Sequence, residues 1–213
     1  MNCMKYFFLM LLGVLPQYIH AQGSDDFEDL RRKTESFARM PWGVLRNDLA
    51  TFTLSGIDEA VGKAPLRKIP FSAIGEDYIT IGGKPLTATV QLAPFDKTKH
   101  RLDYDGKYLI RIDHRAFYGD YGSIPKTSIQ KITVVDHGDT LQIPPAAYAD
   151  LHDLNFTYMQ GGVRQSRDAL YLSADGHRIY LYLFCDNNSG SYEVTWIFQD
   201  GHYLRRVLDY GFM

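Results

Sequence analysis

The sequence predicts a mainly β protein: an antiparallel sandwich or strongly bent sheet of hairpins, with one N-terminal amphipathic helix packed on it. Three observations carry that expectation. Asp-Gly recurs between apolar-polar alternating runs at Asp105-Gly106, Asp175-Gly176 and Asp200-Gly201, and Asp-Gly between such runs is a strong short-range hairpin signal. The 15 Tyr and 12 Phe suit the pleated surface of strands and supply large areas for burial. Helical periodicity is confined to one segment near the start.

Taken in order, the first element is not part of the fold. Lys5 is followed by an apolar run over residues 6–15, broken by Pro16, and Ile19-His20-Ala21 resembles a small-residue cleavage site. This is the pattern of a secretory signal peptide over residues 1–21, and the run is too short to span a bilayer as a helix. The mature chain is therefore expected to start at Gln22 as one β-rich domain over residues 22–213, with a weak subdivision near residues 118–125. Export to the periplasm or the extracellular space is expected, without a lipid anchor. Cys3 leaves with the signal, so Cys185 is the one mature cysteine and no internal disulfide can form.

The helix is expected over residues 24–40. Ser24, Asp25 and Asp26 supply N-cap oxygens and negative charge at the positive end of the dipole. Phe27, Leu30, Thr34 and Phe37 recur at three- and four-residue spacing, and Met40-Pro41 ends the run. Hairpins follow: residues 78–81 with 86–92, 101–104 with 108–113, 129–135 with 140–143, 170–173 with 178–184, and 192–199 with 203–208. Residues 145–151, opened by a proline, are expected to form a short helix, and residues 153–167 a long irregular connection. In the strand near residue 180, Ile179, Leu181, Leu183 and Cys185 share one face while Tyr180, Tyr182 and Phe184 share the other. A strand apolar on both faces belongs in mid-sheet with cover on each side. Arg205 and Arg206 fall on opposite faces of the last strand, so one of them can join a buried ion pair, with an acid such as Glu193.

Function is bounded mainly by exclusion. Without the leading segment the chain carries 22 basic and 25 acidic side chains, which offers no electrostatic case for nucleic acid. No Gly-x-Ser-x-Gly, His-Glu-x-x-His, paired-cysteine, phosphate-loop or dinucleotide motif occurs. Asp103-Tyr104-Asp105-Gly106 opens like a calcium loop but lacks the later ligands and reads as a turn. No cofactor and no metal site is expected, and no transmembrane segment in the mature chain. Asn155-Phe156-Thr157 and Asn187-Asn188-Ser189 match the glycan acceptor pattern. Cys185 is expected to be buried and inert.

The residues singled out for binding are Phe117, Tyr118 and Tyr121, in an aromatic, glycine-punctuated loop suited to stacking on sugar or peptide groups, and His177 and His202. Each of these histidines directly follows an Asp-Gly turn at the same end of the expected C-terminal meander. The expected function is an exported, non-catalytic protein that binds an envelope, protein or glycan partner. The alternatives are a hydrolase whose site is assembled from dispersed groups such as Asp113, His114 and Asp120, and a structural or assembly subunit.

Overall fold

The computed structural model describes residues 66–187 and 189–210, together with Gly43 and the backbone of residues 28–30. The expected signal segment and most of the expected helix lie outside the described residues. Within the helical span, Glu28–Leu30 (β1) is an extended segment paired parallel with the last strand.

The chain then runs Arg67–Ile69 (β2), Phe71–Ile74 (β3), Tyr78–Gly83 (β4), Leu86–Pro94 (β5), Leu102–Asp105 (β6), Tyr108–Ile112 (β7), Thr127–Asp136 (β8), Asp139–Leu141 (β9), Tyr158–Gln160 (β10), Val163–Gln165 (β11), Ala169–Leu172 (β12), Arg178–Cys185 (β13), Tyr192–Gln199 (β14) and His202–Tyr210 (β15). Two larger sheets result, one ordered β3-β4-β5-β8-β9 and the other β1-β15-β14-β13-β12-β2. Among the described strands, every pairing other than that of β1 is antiparallel. All five expected hairpins are present, and the four C-terminal strands form the expected meander.

One apolar cluster draws on both sheets. Ile79, Ile81, Ala88, Val90 and Val134 enter from the first; Leu181, Leu183, Val194, Trp196 and Phe198 enter from the second. The far face of the second sheet carries its own cluster, built from Ala169, Tyr171, Tyr180, Tyr182, Ile197 and Val207. Burial on both faces explains why β13 alternates between aliphatic and aromatic residues instead of between apolar and polar, while the second face of β14 is mixed, with Glu193 and Thr195 buried beside Ile197. The chain passes from one sheet to the other at Pro70, between β2 and β3. Proline has no N–H to offer a ladder, so it suits the corner, and its carbonyl accepts from the Gly82 amide at 2.9 Å.

Several local expectations are corrected. Residues 145–151 hold a single 3₁₀ turn at Pro145–Ala147. Beyond it the chain turns extended to bridge Leu151 to Tyr118 and His152 to Ser128, so tertiary pairing overrides local helix propensity. Residues 153–167 contain the β10–β11 hairpin, turned on Gly161-Gly162, both at positive φ. Of the three Asp-Gly pairs, Asp200-Gly201 alone forms a two-residue loop with both φ values positive. At the first pair the loop residues are Gly106-Lys107, and at Asp175-Gly176 the loop is longer. Arg206 pairs with Asp150, at 2.6 and 3.1 Å; Glu193 is on the opposite face of the sheet, where Tyr182 donates to it at 2.8 Å.

Candidate functional site

A cleft of about 710 Å³ opens where the β6–β7 hairpin, the following loop and the Pro145–Ala147 turn converge. Among its walls are His100, Asp113, Arg115, Phe117, His152 and Arg206.

Asp113 and His114 form a two-residue turn. Ile112 and Arg115 exchange both backbone hydrogen bonds, and the central residues have φ of 51° and 64°, the conformation of a primed hairpin turn. Asp tolerates that region because its short polar side chain finds local partners. Here the Asp113 carboxylate accepts from the Arg101 amide at 2.8 Å and meets His100 Nδ1 at 2.7 Å. The His100 contact and the Arg101 amide hold its pKa below the ordinary carboxylate value. His100 stacks on Phe95, ring centroids 4.8 Å apart. Its Nδ1 is thus oriented by Asp113 on a packed ring.

Behind this pair lies His152, 2 % exposed. Phe95 and Phe117 present ring edges to it, and its Nδ1 meets Ser128 Oγ at 2.9 Å. Burial lowers its pKa to about 4, so the imidazole is neutral near pH 7. Its Nε2 is buried and has no hydrogen-bond partner among the described residues. On the other wall the Arg206–Asp150 fork is tied to the core, because Arg206 also donates to the Ala147 carbonyl that Trp196 Nε1 reaches at 2.9 Å. The acids of the cleft are therefore each engaged by a neighbour: Asp113 by His100, Asp150 by Arg206.

The structure distributes the sequence-derived residues widely. Phe117 is half-buried and lines the cleft. Tyr118 is a core ring, packed on Tyr210 at 5.0 Å and Tyr192 at 6.2 Å. Tyr121 is 67 % exposed. The loop that carries them is pinned just beyond Tyr121, where Gly122 accepts from the Leu109 amide; at φ 76°, a Cβ on Gly122 would sit 2.8 Å from the Tyr108 ring. His177 and His202 are exposed at one end of the second sheet, away from the cleft walls. His177 Nδ1 meets Asp200 Oδ1 of the neighbouring turn at 2.7 Å, and that carboxylate raises its pKa. His114 turns to Asp103 at 3.0 Å instead of the cleft, and Asp120 lies near Ser189 Oγ at 3.5 Å.

Sequence reasoning passed over His100, Arg115, Asp150 and His152. The first was within reach: the register Leu102 to Ile112 and Asp103 to Arg111 places residues 100 and 101 beside the turn at 113. His152 carries no local signal, because its neighbours come from residues 95, 117 and 128.

Outside the cleft, Cys185 is fully buried, with Sγ 3.3 Å from the Asp153 carbonyl, and burial pushes its thiol up to about 12. The Asn155 amide is taken up by both backbone groups of Asp186. Among the described residues no three His, Cys, Asp or Glu side chains gather to hold a metal ion, and no helix is long and apolar enough to cross a membrane. Comparison with protein-family models, with characterised proteins and with solved structures finds no match.

Proposed function

We propose that this chain is an exported, non-catalytic binding protein that takes a partner, a glycan or a segment of protein, into the cleft bounded by His100, Asp113 and Phe117. The carrying observation is the cleft itself. Its volume of about 710 Å³ lies within the roughly 300–1,000 Å³ common for ligand pockets. Its polar groups are paired in fixed positions on packed supports, which suits hydrogen-bond recognition, and Phe117 supplies a half-buried ring beside them. Titrating the protein with neutral oligosaccharides and with short peptides, by calorimetry or amide chemical shifts, tests the proposal. Phe117→Ala is expected to weaken the binder found by about tenfold, the value of one aromatic contact, with little change in melting temperature. Affinity unchanged by Phe117→Ala, or shifts clustering away from the cleft, would overturn it.

The His100–Asp113 pair favours a second reading, hydrolysis. A carboxylate that orients one imidazole nitrogen leaves the other as a general base. Turnover of nitrophenyl esters, phosphates or glycosides that disappears in His100→Ala and in Asp113→Asn would establish the hydrolase in place of the binding protein.

A further inference from the structure

A second concave surface lies at the corner where the chain changes sheets. A groove of about 430 Å³ runs between the edge strand β2 and the turns at Lys84-Pro85 and His137-Gly138. Its walls bring in three cations, Arg67, Lys68 and Lys84, against one acid, Asp136, whose Oδ1 is 2.8 Å from His137 Nδ1. Arg67 and Lys84 are exposed and make no ion pair with any described residue. A second hollow of about 320 Å³ continues the groove, sharing Arg67, Leu172 and Gly176. The acid it adds, Asp175, accepts from Ser173 Oγ and from the His177 amide, and these bonds hold its pKa below the ordinary value. Gly83 and Gly176 face open space, so a ligand can lie against the backbone there.

In a chain whose overall balance is acidic, three cations gathered in one concavity, two of them without an ion pair among the described residues, form a local anion field. We propose that this corner groove is an anion site that takes the sulfate, phosphate or carboxylate groups of an acidic glycan. The elongated, two-part shape suits an extended chain whose anionic group lies at Arg67, Lys68 and Lys84 and whose uncharged part lies over the hollow at Gly176. None of the exposed large apolar residues borders it, so it lacks the apolar anchor that seats a protein on lipid. The groove shares no lining residue with the cleft, and its occupancy does not depend on the function proposed there.

The test uses the full exported chain with a heparin-derived hexasaccharide, and maltohexaose as the uncharged control. The sulfated probe is expected to bind and the control not. Affinity should fall about tenfold in Arg67→Ala with Lys84→Ala, and several-fold between about 50 and 200 mM salt. Arg67→Lys with Lys84→Arg should retain binding, which separates loss of charge from loss of fold. Arg115→Ala, in the cleft, should leave it unchanged. Equal binding of maltohexaose, indifference to the double alanine substitution, or loss in Arg115→Ala overturns the proposal. Preference for vesicles containing phosphatidylglycerol over the hexasaccharide overturns it in favour of a lipid headgroup.

Discussion

At His152 and Asp168 single ionisable groups sit where water does not reach, and each makes stability depend on pH in its own direction. His152 has a pKa near 4 in the fold against 6.5 for the free side chain, because burial penalises the imidazolium. The unfolded chain therefore binds the proton first. The stabilising contribution is complete above pH 6.5 and falls away as pH drops towards 4, by on the order of 3 kcal/mol in all. Denaturant midpoints measured from pH 7 to pH 4.5 should fall less steeply in His152→Phe than in the parent protein; parallel slopes would show that His152 is not the sensor. Asp168 behaves the opposite way. Burial raises its carboxyl to about 8, Oδ1 accepts from the Phe184 amide at 2.9 Å, and Oδ2 is buried without a partner among the described residues. The unfolded chain releases this proton near pH 3.8 and the fold holds it until near 8, so the group costs stability as pH rises between them. Asp168→Asn retains an acceptor for Phe184 and is expected to stabilise the protein by about 2–4 kcal/mol at pH 7. The gain should vanish near pH 4, and a variant that melts below the parent at pH 7 contradicts it.

Among the elements, β14 is buried over seven of its eight residues. Trp196 is fully buried in the shared core, and its indole N–H reaches Ala147 across the gap between the second sheet and the 3₁₀ turn. Trp196→Ala removes both, with an expected loss of about 3–5 kcal/mol in chemical denaturation; a loss below about 1 kcal/mol would mean that the ring contributes little to the core. The hairpins built from β4 to β9 and β12 to β15 were legible because alternation and turn residues are local signals. The β10–β11 turn had a signal in Gly161-Gly162, a recognised hairpin pair, but its three-residue flanks are too short to show alternation. β2 and β3 were not legible: neither alternates, and though adjacent in sequence they join different sheets, β2 beside β12 and β3 beside β4. The Pro145–Ala147 turn reads as helix in isolation and stops because Leu151 and His152 are held by distant strands.

Across the whole molecule, the cleft gathers residues from 100 to 152 and Arg206, separated by three strands of the second sheet. Four of them stood out beforehand: Asp113 as one of the dispersed acids, Phe117 and Tyr118 in the aromatic loop, and Arg206 as a candidate for a buried ion pair. The others become neighbours because the β6–β7 hairpin folds over the ends of strands that sequence distance does not relate. The same long-range logic governs the corner at Pro70. A bare sheet edge is an open row of amides and carbonyls that a second molecule can extend. Residues 67–74 supply an outer strand to both sheets at once, β2 beside β12 and β3 beside β4, and they blunt those edges by being only three and four residues long, with Lys68 in one and Pro70 between them. Fraying of that stretch would uncover two adhesive edges together, which makes this corner the place where loss of local order turns into self-association.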